Sequence, residues 1–73
     1  MKITLESTTK FVWLNGVPTR IWEGTTDSGI ALHAYIARVA VREDKDCTQF
    51  DAELRECRLP SPEVAAIPAR LVL

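Results

Sequence analysis

The dipeptide Asn15-Gly16 constrains the fold of this chain more than any other feature, because it lies between two apolar stretches. In such a setting, Asn-Gly is the strongest short-range signal for a β-hairpin closed by a two-residue type I′ turn. A hairpin of this kind sets the register of the strands on both sides. The predicted pairs are Leu14 with Val17, Trp13 with Pro18, Val12 with Thr19 and Phe11 with Arg20.

A second hairpin is predicted around the turn-forming residues Thr26-Asp27-Ser28-Gly29. With all four residues in the loop, the third strand is expected to cover about residues 30–41. The predicted pairs are Thr25 with Ile30, Trp22 with His33, Ile21 with Ala34 and Arg20 with Tyr35. The weakly patterned residues 6–9 predict a bend or a bulge in the first strand.

These two registers sort the three strands into two unlike faces, since side chains alternate along a strand. One face is aliphatic, with Val12, Leu14, Val17, Ile21, Ile30, Leu32, Ala34 and Ile36. The other is aromatic and polar, with Phe11, Trp13, Arg20, Trp22, His33 and Tyr35. A single helix can cover only one face, so the second is where we look for a function.

A helix is predicted after a polar link at residues 42–45, with Asp46 or Thr48 as its cap and its end near Arg58. Its apolar residues share one side of the helix, at spacings of three, four and three: Cys47, Phe50, Leu54 and Cys57. This stripe predicts packing on the aliphatic face. The two cysteines would lie about 15 Å apart along the helix, too far for a disulfide, so buried thiols are expected.

Two short elements are predicted near the end of the chain. Ser61-Pro62-Glu63 is typical of a helix start. The apolar residues 71–73 predict a short strand at the sheet edge or a contact with another subunit. The predicted fold is therefore one α+β domain over residues 1–73. It is a three- or four-stranded antiparallel meander, with one main α-helix on one face and a short C-terminal helix or strand.

Composition narrows the classes of function. A content of 47% hydrophobic and 26% charged residues predicts a folded chain, but 73 residues bury only a small core. Association with a copy of itself is therefore expected. The net charge of -1, with nine scattered basic residues, does not favour a general polyanion binder. No apolar run approaches the ~20 residues of a membrane span and no secretory leader pattern is present, so a cytoplasmic location is expected, with no membrane partner.

One group of residues resembles an acid–base site, namely His33 with Tyr35, Arg20 and Glu23. In the predicted register Glu23 lies on the opposite face, and no nucleophile accompanies the histidine. The favoured interpretation is a cross-strand pair of His33 with Trp22, so no catalytic residue and no enzyme are predicted. The His and Cys spacings do not fit zinc and the glycines do not fit a phosphate loop, so neither a metal nor a cofactor is predicted.

The aromatic and polar face is predicted to be a binding surface, because Trp, Tyr and Arg dominate protein interfaces. The favoured function is non-enzymatic binding by a homo-oligomer that uses Phe11, Trp13, Arg20, Trp22, His33 and Tyr35 as its interface. A partner protein comes second. The alternative is binding of a nucleic acid or a nucleotide, whose bases would stack on the same rings.

Several segments resemble short open reading frames of phages and prophages. They are Leu14-Asn15-Gly16-Val17-Pro18, Arg20-Ile21-Trp22-Glu23-Gly24, Thr26-Asp27-Ser28-Gly29 and Ile67-Pro68-Ala69-Arg70-Leu71-Val72-Leu73. The resemblance spans most of the chain. It implies a bacterial cytoplasm and a phage accessory role, such as inhibiting a host protein or sequestering a host signal. It assigns no site residues.

Overall fold

The computed structural model describes residues 1–42 and 47–73 of the chain. Its elements are β1 (Ile3–Leu14), β2 (Val17–Thr26), β3 (Ala31–Ile36), α1 (Cys47–Leu54), α2 (Pro62–Ala65) and β4 (Arg70–Leu71). The strands form one sheet in the order β3-β2-β1-β4. The first three strands make the predicted antiparallel meander, whereas β4 runs parallel to β1. The protein is a small α+β fold with a mixed sheet and short helices.

The first hairpin has the predicted register. All four predicted pairs are present, from Leu14 opposite Val17 to Phe11 opposite Arg20. Asn15 and Gly16 have φ angles of 51° and 81°, the left-handed backbone that both central residues of a type I′ turn require. The local chemistry of this dipeptide therefore sets the pairing of the sheet's two longest strands.

The predicted irregularity in β1 is a bulge opposite Ile21. The register of β1 against β2 shifts between Ser7 and Phe11, so that residues 8–10 share a single partner position. The Thr8 hydroxyl donates to the Ile21 carbonyl at 2.7 Å and accepts from the Lys10 amide at 3.2 Å. A buried side chain thus replaces the ladder hydrogen bonds that the bulge interrupts.

The register of the second hairpin differs from the prediction by one residue. The loop contains three residues, because the Thr26 amide donates to the Ile30 carbonyl and Gly29 takes a φ of 87°. This is the three-residue loop with a left-handed glycine at its end. The observed pairs are Thr25 with Ala31, Glu23 with His33, Trp22 with Ala34, Ile21 with Tyr35 and Arg20 with Ile36.

All four predicted pairs of this hairpin are therefore wrong: Thr25 with Ile30, Trp22 with His33, Ile21 with Ala34 and Arg20 with Tyr35. Because side chains alternate, the shift of one residue turns every side chain of β3 to the other face. The strand is also shorter than predicted and ends at Ile36. Continuing its register would place Arg38 opposite Pro18, which has no amide hydrogen to donate to the ladder.

The helix α1 ends at Leu54, before the predicted end near Arg58. Thr48, one of the two predicted caps, lies inside α1, whereas Asp46 and the link at residues 43–45 lie outside the described residues. The end of α1 faces the side of the sheet that carries Arg20, whose Nη1 donates to the Leu54 carbonyl at 3.4 Å. The prediction that the apolar stripe of α1 packs on the aliphatic face is therefore wrong. The prediction of buried thiols is also wrong, because no described residue of α1 is buried and both Cys47 and Cys57 are exposed. The two cysteines form no disulfide, as predicted.

The chain after α1 passes around the outer edge of β1. The Arg58 amide donates to the Ser7 carbonyl at 3.1 Å, and the Arg58 carbonyl accepts from the Thr9 amide at 3.0 Å. These bonds form a parallel bridge between Thr8 and Arg58 beside the bulge. The crossing carries the chain from one face of the sheet to the other.

The second face is covered by α2 and the residues that follow it. Ser61 caps α2, and Val64 packs with Val12 and Ile21 in the buried core. Tyr35, Ile67 and Leu71 surround these three side chains. The strand β4 then pairs with the end of β1, which is the first of the two alternatives predicted for the C-terminal residues.

Candidate functional site

The observed register defines two faces that differ from those predicted. The core face, which lies against α2, carries Val12, Thr19, Ile21, Glu23, His33 and Tyr35. The aromatic face carries Phe11, Trp13, Arg20, Trp22, Leu32, Ala34 and Ile36. Four of the six predicted site residues thus share one face. His33 and Tyr35 lie on the other, because β3 is shifted by one residue.

The aromatic face presents large apolar side chains to solvent. Phe11 is 55% exposed and Trp13 is 50% exposed, and Ile3 extends the same face along β1. The guanidinium carbon of Arg20 lies 4.6 Å from the centre of the Phe11 ring, in cation–π contact. The face therefore combines flat aromatic surface with a fixed positive charge.

A groove of about 430 Å³ separates part of the aromatic face from α1. Its walls come from β1, β2, the end of β3, the segment after it and the end of α1. They include Phe11, Pro18, Arg20, Trp22, Ile36, Arg38, Val39, Asp51, Leu54 and Arg55. Three of these side chains are guanidinium groups and one is a carboxylate. The groove is an apolar cleft with a positive rim.

On the core face, a carboxylate links the sheet to α2. The Glu23 carboxylate accepts a short hydrogen bond from the Ser61 hydroxyl and a second bond, 3.0 Å long, from the Ser61 amide. Nη2 of Arg58 lies 3.5 Å from the same carboxylate. The Ser61 hydroxyl, its amide and Arg58 together hold the pKa of Glu23 below its usual value, against the opposing effect of burial.

His33 sits beside this carboxylate and touches Tyr35. Its Nε2 lies 3.3 Å from the Tyr35 hydroxyl, and the two rings meet edge to face at 5.4 Å. The prediction that Glu23 lies on the face opposite His33 is wrong, since the two residues are register partners. The cluster lacks an activated nucleophile: the Ser61 hydroxyl donates to Glu23 and accepts from the Val64 amide. Its arrangement serves to hold α2 on the sheet.

Two further findings concern residues 1–42 and 47–73 of the chain. This part of the chain contains no group of three or more His, Cys, Asp or Glu residues that could hold a metal ion. Neither of its helices has the length and apolar character that crossing a bilayer requires.

The residues that the sequence analysis missed are those of the groove outside the strands, above all Arg38 and Arg55. Arg38 follows β3, whose register brings its aliphatic side chains to the face that α1 covers in part, and Arg55 follows the end of α1. The sequence signal for the register of β3 was Gly29, because a glycine at the third position after Thr26 fits a three-residue loop. The capping role of Ser61 was predicted, but its bond to Glu23 depends on tertiary structure.

Comparisons of the chain with protein-family models, with curated proteins and with solved structures find no match.

Proposed function

We propose that this protein is a small non-enzymatic binding protein that acts as a homo-oligomer, with the aromatic face as its interface. One observation carries the proposal: the single chain exposes far more surface than a compact protein of its mass. The buried hydrophobic core of the described residues consists of Val12, Ile21 and Val64. Such a core is small for an independent domain.

The excess surface can be measured against the size of a typical interface. The accessible area of the chain is 5824 Å². A compact monomer of 8.2 kDa would expose about 4,500 Å², so the chain exposes roughly 1,300 Å² more than expected. Its radius of gyration of 13.4 Å likewise exceeds the ~11 Å of a compact domain of this length. A standard protein interface covers about 800 Å² on each partner, so the excess is large enough for one.

The exposed Phe and Trp side chains favour the aromatic face as the surface that a second copy would cover. Ile3, Phe11 and Trp13 lie exposed on the aromatic face, and Val39 and Leu54 border it at the groove. A two-fold axis through this face would pair the patch with itself. Burial of exposed Trp and Phe side chains is the main source of affinity in such contacts.

Sedimentation velocity of the wild type over a range of concentrations tests the proposal. We expect a dimer or larger species, and we expect Trp13→Ala combined with Phe11→Ala to weaken association by about tenfold or more. Leu59→Ala is the matched control, because Leu59 is an exposed aliphatic residue that follows Arg58 and belongs to no strand of the aromatic face. A wild type that remains monomeric at high micromolar concentration would remove the proposal.

The biological role belongs to the same proposal. The resemblance to phage and prophage reading frames supports an accessory or inhibitor protein in a bacterial cytoplasm, with a host protein as a second partner. The exposed aromatic face supplies a surface for such a partner when it is not covered by a second copy. The expected signature is a stable complex with the host protein that the Trp13→Ala and Phe11→Ala changes abolish.

A further inference from the structure

The groove between the aromatic face and α1 concentrates positive charge in a chain that has a net charge of -1. Arg20, Arg38 and Arg55 line it, against the single carboxylate of Asp51. Among the described residues, none of these arginines forms an ion pair within 4.0 Å; the two ion pairs present both belong to Arg58. Among the described residues that line it, the positive charges therefore outnumber the negative ones.

The same groove offers flat apolar walls. Phe11 is 55% exposed, Trp22 is half-buried, and the guanidinium of Arg20 already lies over the Phe11 ring. Leu54 closes the opposite side. A volume of about 430 Å³ lies in the range of small-molecule sites in proteins. Stacking surfaces beside guanidinium groups favour a ligand that is both aromatic and anionic.

We propose that this groove binds a small planar aromatic anion of the nucleoside monophosphate class. The base would stack against Phe11 and Trp22, and the phosphate would accept hydrogen bonds from the exposed guanidinium groups of Arg38 and Arg55. Arginine suits this role because its planar group binds phosphate oxygens with two parallel hydrogen bonds. The groove shares Phe11, Val39 and Leu54 with the proposed interface. The proposal goes beyond self-association because it assigns a ligand to Arg38 and Arg55, which are not part of that interface, and because Trp13 does not line the groove.

Titration with adenosine 5′-monophosphate, followed by calorimetry and by tryptophan fluorescence, tests the site. The Trp13→Phe variant is the reporter, because Trp22 is then the only tryptophan in the chain. We expect saturable quenching by the nucleotide. We also expect adenosine and inorganic phosphate, each of which lacks one half of the ligand, to bind about tenfold more weakly or worse.

The combined change Arg38→Gln and Arg55→Gln is expected to weaken nucleotide binding by about tenfold or more, because each charged hydrogen bond to phosphate is lost. Both side chains are exposed, so the fold should survive, and circular dichroism checks this. Arg70→Gln is the matched control, an exposed arginine on β4 that does not line the groove. Changing both groove arginines to lysine should retain part of the affinity, since the charge remains.

Several results would overturn the proposal. They are the absence of binding at millimolar nucleotide, an unchanged affinity in the double glutamine variant, and equal binding of adenosine and the nucleotide. A single-stranded oligonucleotide that binds far more tightly per site than the mononucleotide would also overturn it, in favour of a nucleic-acid surface. Sedimentation of the same variants separates the two proposals, because the arginine changes should leave the oligomeric state as it is in the wild type.

Discussion

At the residue scale, Thr8 and Gly24 each meet a local requirement of the sheet that depends on the residue type. Thr8 is fully buried and uses its hydroxyl both as donor and as acceptor within the bulge. Gly24 serves a close approach of strands: a Cβ atom there would lie 1.7 Å from the Thr4 carbonyl oxygen. Both positions tolerate little change for reasons of packing and hydrogen bonding.

The role of Thr8 leads to a prediction. Thr8→Val keeps the shape of the side chain but removes the hydroxyl, which leaves the Ile21 carbonyl and the Lys10 amide without this partner. We expect the free energy of unfolding to fall by about 1–3 kcal/mol, the usual cost of unsatisfied buried groups. Urea denaturation measures it. Thr9→Val is the control, since Thr9 is the exposed neighbour in the same bulge; an equal loss in both variants would show that the hydroxyl of Thr8 is not responsible.

At the scale of elements, a single carboxylate, that of Glu23, connects the short helix α2 to the sheet. The helix has four residues, too few to be stable alone, and its cap Ser61 bonds to Glu23 on β2. Arg58, which bridges to β1, also reaches Glu23 and places its Nε 3.4 Å from Glu6. The side chain of Glu23 thus joins β2, the crossing segment and α2.

This linkage predicts a dependence of stability on pH. The pKa of Glu23 is lowered from its ordinary value of 4.5, chiefly by the Ser61 hydroxyl. The ionised group therefore stabilises the fold fully above about pH 4.5, and the contribution is lost as the pH falls through the lower pKa of the folded state. Thermal melts of the wild type from neutral to acidic pH should show this loss. The Glu23→Gln variant should be less stable than the wild type at neutral pH, and the difference should shrink in acid.

Glu63→Gln provides the comparison for the pH experiment. Glu63 lies in the first turn of α2 and belongs to neither of the ion pairs of the described residues. Its substitution should leave the acid-dependent loss of stability as it is in the wild type. A Glu23→Gln protein whose acid profile matches that of the wild type would contradict the role assigned to this carboxylate.

The elements also show how far the sequence alone predicts this fold. Asn15-Gly16 determines its own turn and register, because both residues adopt backbone angles that few others do. The second loop was harder to predict, because residues 26–29 permit loops of three or four residues that differ by one step in register. A prediction that is wrong by this one step places His33 and Tyr35 on the wrong face. The predicted position of α1 depended on the same assignment of faces and is wrong as well.

The candidate site was predicted only where it depends on the first two strands. Phe11, Trp13, Arg20 and Trp22 share a face as expected, since alternation within a hairpin of known register places them there. Arg38 and Arg55 are distant in the chain and meet the same groove through tertiary packing. No local pattern links them to the aromatic rings. The positions of Arg38 and Arg55 in the groove depend on how the whole chain folds, and the spacing of residues along the sequence does not predict them.

At the scale of the whole molecule, the flat shape and the small core connect stability to association. The molecule measures 37 × 32 × 22 Å, and its aromatic face exposes Ile3, Phe11 and Trp13. If a second copy covers that face, folding and assembly are coupled. The stability of the protein then depends on its own concentration.

Thermal denaturation at several concentrations measures this coupling. Over a concentration range of about a hundredfold, the Tm of the wild type should rise by several degrees, at about 4–8 °C for each kcal/mol of added stability. The variant with Trp13→Ala and Phe11→Ala should melt at a lower temperature that changes little with concentration. A Tm of the wild type that is independent of concentration would contradict coupled folding and assembly.

The passage of the chain around β1 has a consequence for how the molecule is made. Synthesis proceeds from the N-terminus, so the three-stranded meander leaves the ribosome before the crossing at Arg58, α2 and β4. Until those segments arrive, Val12 and Ile21 lack the cover of Val64, and the outer edge of β1 lacks its partners. The partly synthesised chain therefore exposes apolar surface on both faces of the three-stranded sheet. That exposure ends when the residues around Arg58 pair with the outer edge of β1 and Val64 packs on Val12 and Ile21.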